Sequence, residues 1–224
     1  MSKKAELIGS HYPTIYLTVI SLLQGIALSQ LVPYVIRYLE TVENPWTDIH
    51  VLPFLLMFLI IFLVWHHYAI GIFFLRWFPN IIDTIIPFIV SIGQFILISF
   101  LDFQTSVSDI NMEAFTKGYA IYFILGSVAY FGAALRLEPA LFTNLMSREN
   151  ADIHGGLVRK YYNIEGWSIL AQGFFAFFIV FMKQYPLLLI SLVFFLVHII
   201  VSEYFLLSKI RPHFDKALDE YEGA

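Results

Sequence analysis

The chain has 224 residues, of which 59% are hydrophobic and 13% charged, with a formal net charge of −4 and no cysteine. The missing thiol excludes disulfides, thiolate catalysis and cysteine-ligated metal, and there is no polybasic tract of the kind that binds nucleic acid. Mean hydropathy is +0.75, and six apolar runs approach or exceed the roughly 20 helical residues that cross a hydrocarbon core about 30 Å thick.

The runs predict an all-α, polytopic membrane protein with transmembrane spans over 13–37, 51–76, 80–101, 117–136, 167–183 and 186–208. They form one domain over 1–211, followed by a short tail over 212–224, and leave no room for a separate soluble domain. In lipid every backbone amide must be satisfied within its own segment, so each run should be helical. Continuous runs do not match the short alternating strands of a β-barrel.

Ten of the 13 lysines and arginines fall at the N-terminus, in even-numbered connections or at the C-terminus; Arg37, Lys117 and Lys183 are the three others. Positive residues stay cytoplasmic, so both termini are predicted inside, as an even number of spans requires. The first apolar run is a full span with no small-residue cleavage site after it, so it reads as a retained helix and not as a signal peptide. Compact loops and the absence of cysteine point to a prokaryotic inner membrane.

Helix 1 carries Thr14, Thr18, Ser21, Gly25 and Val32 at spacings of 4, 3, 4 and 7, which puts them on one face at about 100° per residue. Leu28 and Ser29 flank this stripe, while Gln24 and Gln30 lie farther round. Small and hydroxyl-bearing residues suit either a pore lining or close helix packing in lipid. The first external loop, 41–50, places Trp46 at the level of an interfacial aromatic belt.

Helix 2 carries Trp65, His66 and His67 deep in the bilayer, where ionisable side chains mark functional sites by default. Adjacent residues diverge by about 100° on a helix, so hydrogen bonds across helices are expected and a shared metal is not. Arg76 to Asn80 reads as a turn stopped by Pro79, and helix 3 opens with Asp83 and then Pro87. Six acids against three bases on the outer face fit a solvated side left by charge sorting, or a cation-concentrating mouth.

Helix 4 is predicted to continue past the bilayer through Arg136 towards Met146. The polar stretch 147–166 reads as the longest cytoplasmic connection, broken at Gly155-Gly156, and offers a surface for a soluble partner. The tail from Pro212 is expected to be a frayed helix, and Glu203 is expected to pair with a base such as Lys209. Counted at about 1.5 Å per residue, Ser127 and His198 sit at similar depths, a pairing that resembles rhomboid intramembrane proteases. A b-type haem between His66 or His67 and His198 is a further option, since axial histidines can hold haem.

Six spans, both ends inside, a helix 2 with tryptophan beside His66-His67, and Pro87-Phe88 in helix 3 resemble the bacterial and endolysosomal potassium-channel family with six-helix repeats. Leu22-Leu23-Gln24 stands where that family carries Phe-Ser-Asp. The resemblance implies a homo-oligomer, a tetramer above all, with helix 1 around a pore and Leu23, Ile26 or Leu28 as its constriction. The functional expectation is thus an ion channel for inorganic cations, potassium among them, and not an enzyme. Its lining would be Thr14, Thr18, Ser21, Leu23, Gly25, Ile26, Leu28 and Ser29, supported by buried His66, His67, Asp83 and His198. No cofactor and no metal are expected, and the lipid bilayer is the obligatory partner. The alternative is a membrane-embedded effector or accessory subunit, as in bacterial defence, driven by a soluble partner at 147–166.

Overall fold

The computed structural model describes residues 3–75, 81–104, 106–138, 142–143 and 146–222. These form seven α-helices and, among the described residues, no strand: α1 Lys3–Thr41, α2 Val51–Leu75, α3 Ile81–Ser99, α4 Met112–Arg136, α5 Arg148–Met182, α6 Leu188–Phe205 and α7 Arg211–Glu222. A π turn over Leu206–Ile210 joins α6 to α7 without a break. Five segments are long and apolar enough to cross a membrane: Thr14–Thr41, Val51–Gly71, Met112–Arg136, Arg148–Met182 and Tyr185–Ala217. The apolar part of α3, Ile85–Ser99, is shorter.

The protein is a polytopic helical membrane protein. Its outer surface carries Ile15, Leu22, Leu125, Phe181 and Ile200, all well exposed. In water a belt of that kind would drive association; against acyl chains it costs nothing.

Two apolar clusters hold the bundle, the larger running from its middle, at Ala27, Ile60, Phe123 and Phe195, to one end. There it gathers Tyr38, Leu101, Phe103, Ile110, Phe115 and Leu188 beneath the connections 42–50, 100–111 and 183–187. Arg37 fastens this end, donating to Phe103 O at 2.6 Å and facing Asp102 at 3.4 Å. The other cluster joins Phe142, Met146, Ala151 and Val158 to Ile210, Phe214 and Ala217. That contact packs α7 against α5, so the tail is a docked helix where a frayed one was expected.

Two more boundaries differ from the sequence reading. Helix α4 stops at Arg136, and Leu137 is extended (φ −71, ψ 115). Pro139 biases the residue before it, Glu138, away from the helical region, and the chain leaves the helix one residue earlier, at Leu137. Arg159 satisfies the freed carbonyls, donating to Ala134 O at 3.2 Å and Leu137 O at 2.8 Å. Helix α5 begins at Arg148, capped by the Ser147 hydroxyl accepting from Asn150 N, and runs unbroken through Gly155-Gly156 for 35 residues. Its buried face, from Ala151 through His154, Val158, Tyr161 and Glu165 to Ile169, is what sustains the helix through a polar sequence. The predicted turn at 76–80 lies outside the described residues.

Helices α4 and α5 pack closely because glycines let their backbones approach. A Cβ on Gly173 would lie 2.8 Å from Ile124 Cγ1 and 3.1 Å from Ala120 O, and one on Gly166 would lie 2.7 Å from the Phe131 ring. Small residues serve this purpose in membrane bundles. Here they draw α5, and Glu165 with it, into the interior.

Candidate functional site

Four helices deliver polar side chains to one point inside the bundle: His67 from α2, Tyr130 from α4, Tyr161 and Glu165 from α5, and His198 and Ser202 from α6. Glu165 is fully buried and His198 is 5% exposed. The carboxylate Oε2 lies 2.9 Å from His198 Nε2 and 3.4 Å from His67 Nε2. Ser202 Oγ donates to Oε1 and stands 3.3 Å from the Tyr161 hydroxyl. The Tyr130 hydroxyl shares a 2.5 Å hydrogen bond with His67 Nδ1. The His67 ring stands edge-on to those of Tyr130, Tyr161 and His198.

Depth follows from helical rise. His67 is 16 residues beyond Val51, Glu165 is 17 before Met182 and His198 is 10 beyond Leu188. At about 1.5 Å per residue these are roughly 24, 26 and 15 Å along three separate helix axes, and since the side chains meet, the helices do not start at one level. All fall within a hydrocarbon core about 30 Å thick. A bare carboxylate there is costly, and such residues face the bundle interior and pair. Among the described residues the ion-pair partners of Glu165 are the two imidazoles.

A neighbouring pair flanks the cluster. His66 bonds to Glu203 of α6, and both side chains are partly exposed, at 26% and 31%. Glu203 therefore takes a histidine of α2 and not Lys209, because the 2–6 helix contact brings His66 to its level. A second polar layer lies towards the connection-bearing end. Gln172 sits seven residues from Glu165, and Ser191 sits seven from His198, each two turns or about 10.5 Å along its helix. Both are buried, and Gln172 accepts from the Tyr119 hydroxyl at 3.1 Å.

The predicted residues fall into two groups. His67 and His198 meet at Glu165, and His66 stands beside them. The stripe on α1 is elsewhere: Thr14, Thr18, Ser21, Gly25, Ile26, Leu28 and Ser29 are exposed and Leu23 is half-buried. The bundle instead buries the opposite face through Tyr16, Ile20, Gln24, Ala27 and Leu31. Thr18 and Ser29 donate to carbonyls of their own helix, and Ser21 accepts from Trp65 Nε1 at 3.2 Å. The Asp83 side chain lies outside the described residues. Ser127 donates to Ile124 O at 2.7 Å while His198 faces Glu165, so no serine–histidine dyad forms. Glu165 Oε2 occupies the space near both His67 and His198 that a haem iron would need.

Sequence reasoning missed Glu165, because residues 147–166 read as an exterior connection. A helical signal was present: Ser147 as a cap, Glu149 in the first turn, and small or aromatic residues recurring every three or four positions from Ala151.

Chemically, the cluster can hold a cation against a buried carboxylate, as a proton on an imidazole or as a metal ion. No family model matches the chain, and neither a curated protein nor a solved structure matches it.

Proposed function

We propose that the protein translocates cations across the membrane through the interior of its own helix bundle, between α2, α4, α5 and α6, with Glu165 as the binding point. The observation that carries this reading is a fully buried acid, at bilayer depth, whose ion-pair partners are histidines from two other helices. The polar layer of Gln172, Tyr119 and Ser191 supports it by supplying a next station two turns away. Intramembrane acids and histidines in series are how proton and cation paths are built.

The test is flux in liposomes containing the purified chain. Glu165→Gln keeps the size and removes the charge, and it should abolish cation movement. Glu165→Asp should retain part of it. Thr18→Ala and Ser21→Ala should leave it unchanged.

A second reading is favoured by the uncovered stripe on α1, where a Cβ on Gly25 meets nothing within 4 Å. Several copies could set that face around a common axis, giving a homo-oligomeric pore like that of the six-helix potassium channels. In that case Thr18→Ala, Ser21→Ala or Leu23→Ala alters conductance while Glu165→Gln spares it. The two readings thus predict opposite patterns in the same assay.

A further inference from the structure

We infer that His67 Nε2, Glu165 Oε2 and His198 Nε2 form a three-ligand site for a divalent transition-metal ion of the zinc or iron(II) class. The inference names the cation of the reading above and rests on that reading for the ion's passage, although binding can be measured without transport.

The three ligand atoms lie within 4.8 Å of one another, with separations of 3.4 and 2.9 Å from the carboxylate oxygen to the two nitrogens. Bonds of about 2.0–2.1 Å at tetrahedral angles put neighbouring ligand atoms about 3.3 Å apart. The two carboxylate-to-nitrogen separations already match, and the imidazole nitrogens, within 4.8 Å of each other, would close towards that spacing on binding.

Glu165 Oε2 and His198 Nε2 are buried and pair at 2.9 Å, but without a well-aligned hydrogen bond between them. Buried polar atoms without an aligned hydrogen bond need an explanation, and a shared metal supplies one.

The surroundings match what a metal site requires. Tyr130 occupies His67 Nδ1, so Nε2 is the nitrogen left for the metal. Ser202 holds the other carboxylate oxygen and orients the group. Outer partners of this kind set tautomer and ring direction at metal centres. Two imidazoles and one carboxylate select zinc, iron, nickel or copper ahead of magnesium or calcium, which need more oxygen ligands. Three protein ligands leave a coordination position open, as in sites that exchange their ion or bind a water.

The experiment uses the full chain, without a histidine tag, purified in detergent and stripped with a chelator. Co²⁺ is titrated in, and its visible d–d bands are read. Zn²⁺ is then added to displace it, and bound zinc is counted by elemental analysis. One Co²⁺ per chain, with bands typical of four or five coordination and displaced by Zn²⁺, is the expected result. Glu165→Gln, His67→Gln and His198→Gln should each lose the bands, whereas His66→Gln should keep them. Tyr130→Phe should keep the bands but weaken affinity by about 10–100-fold. Circular dichroism and elution volume identify any variant that has not folded. The conservative Tyr130→Phe and His66→Gln pair still decides the matter if the ligand variants are lost.

Absence of a stoichiometric band in the parent chain overturns the metal site, as does a band that survives Glu165→Gln in a folded variant. Metal bound without any flux in liposomes overturns the transport reading and leaves the site standing. Flux that persists in metal-stripped protein, with no Co²⁺ bound, overturns the site alone.

Discussion

The Tyr130 hydroxyl lies 2.5 Å from Nδ1 of His67, so a residue of α4 decides which ring nitrogen α2 turns towards Glu165. The two nitrogens of a histidine are chemically distinct, and the bond made by one sets the state of the other. Selective ¹⁵N labelling of histidine should show a single tautomer for His67 in the parent chain. Tyr130→Phe should give a mixture. An unchanged single tautomer in the variant means that some other group holds the ring.

Gly173 and Gly166 both permit the α4–α5 approach, but the obstacles they avoid differ. A methyl on Gly173 meets Ala120 O at 3.1 Å and Ile124 N at 3.2 Å, both backbone atoms. A methyl on Gly166 meets the Phe131 ring, which can swing aside. Gly173→Ala is therefore expected to cost about 1–3 kcal/mol, the usual range for overpacking, and Gly166→Ala less. Thermal unfolding in a mild detergent ranks them, and the reverse order would show that the ring is the harder obstacle.

Arg37 holds the loop after α3 by a carbonyl and a carboxylate of unequal worth. Asp102→Asn removes an ion pair in which both side chains are about half exposed, and such pairs contribute about 0–1 kcal/mol. Arg37→Met also strips the donor from Phe103 O. Bonds from a charged donor contribute about 1.5–3 kcal/mol, so the arginine variant should be clearly the weaker of the two. Faster amide exchange over 103–111 in Arg37→Met, and little change in Asp102→Asn, is the expected pattern.

Trp65 and Ser21 tie α2 to α1 at the edge of the stripe. A double-mutant cycle of Trp65→Phe and Ser21→Ala should return a coupling of about 0.6 kcal/mol, as interhelical hydrogen bonds in membranes do. Zero coupling would mean that Ser21 spends its time turned towards some other group, as the oligomeric reading requires.

The sequence disclosed the solvent of this protein more readily than its chemistry. Runs such as Val51–Leu75 and Leu188–Phe205 read as membrane crossings because they are long and apolar enough to span. The same rule hid Glu165: it lies in the polar half of α5, where hydropathy points outwards, and only the three-and-four spacing from Ala151 onwards betrays a buried face. His67 and His198 stood out as ionisable residues in apolar runs. That they meet at Glu165 depends on α2 lying against α6 and on glycines letting α5 pack close to α4, and neither contact is encoded locally. On α1 the periodicity was legible, but not which face the bundle would cover: the large residues Tyr16, Ile20 and Leu31 went inwards, and the small ones were left outside.

Helix α5 carries its acid to the membrane interior before the chain has supplied His198, since α6 follows only after the short link 183–187. An insertion machine handling α5 alone would face a charged side chain that raises the cost of entry by about 3 kcal/mol at a helix centre. Helices α5 and α6 should therefore enter as a hairpin, with the earlier α2 already waiting to offer His67. A nascent chain halted before residue 198 would expose that acid, and quality-control proteases would be expected to remove it.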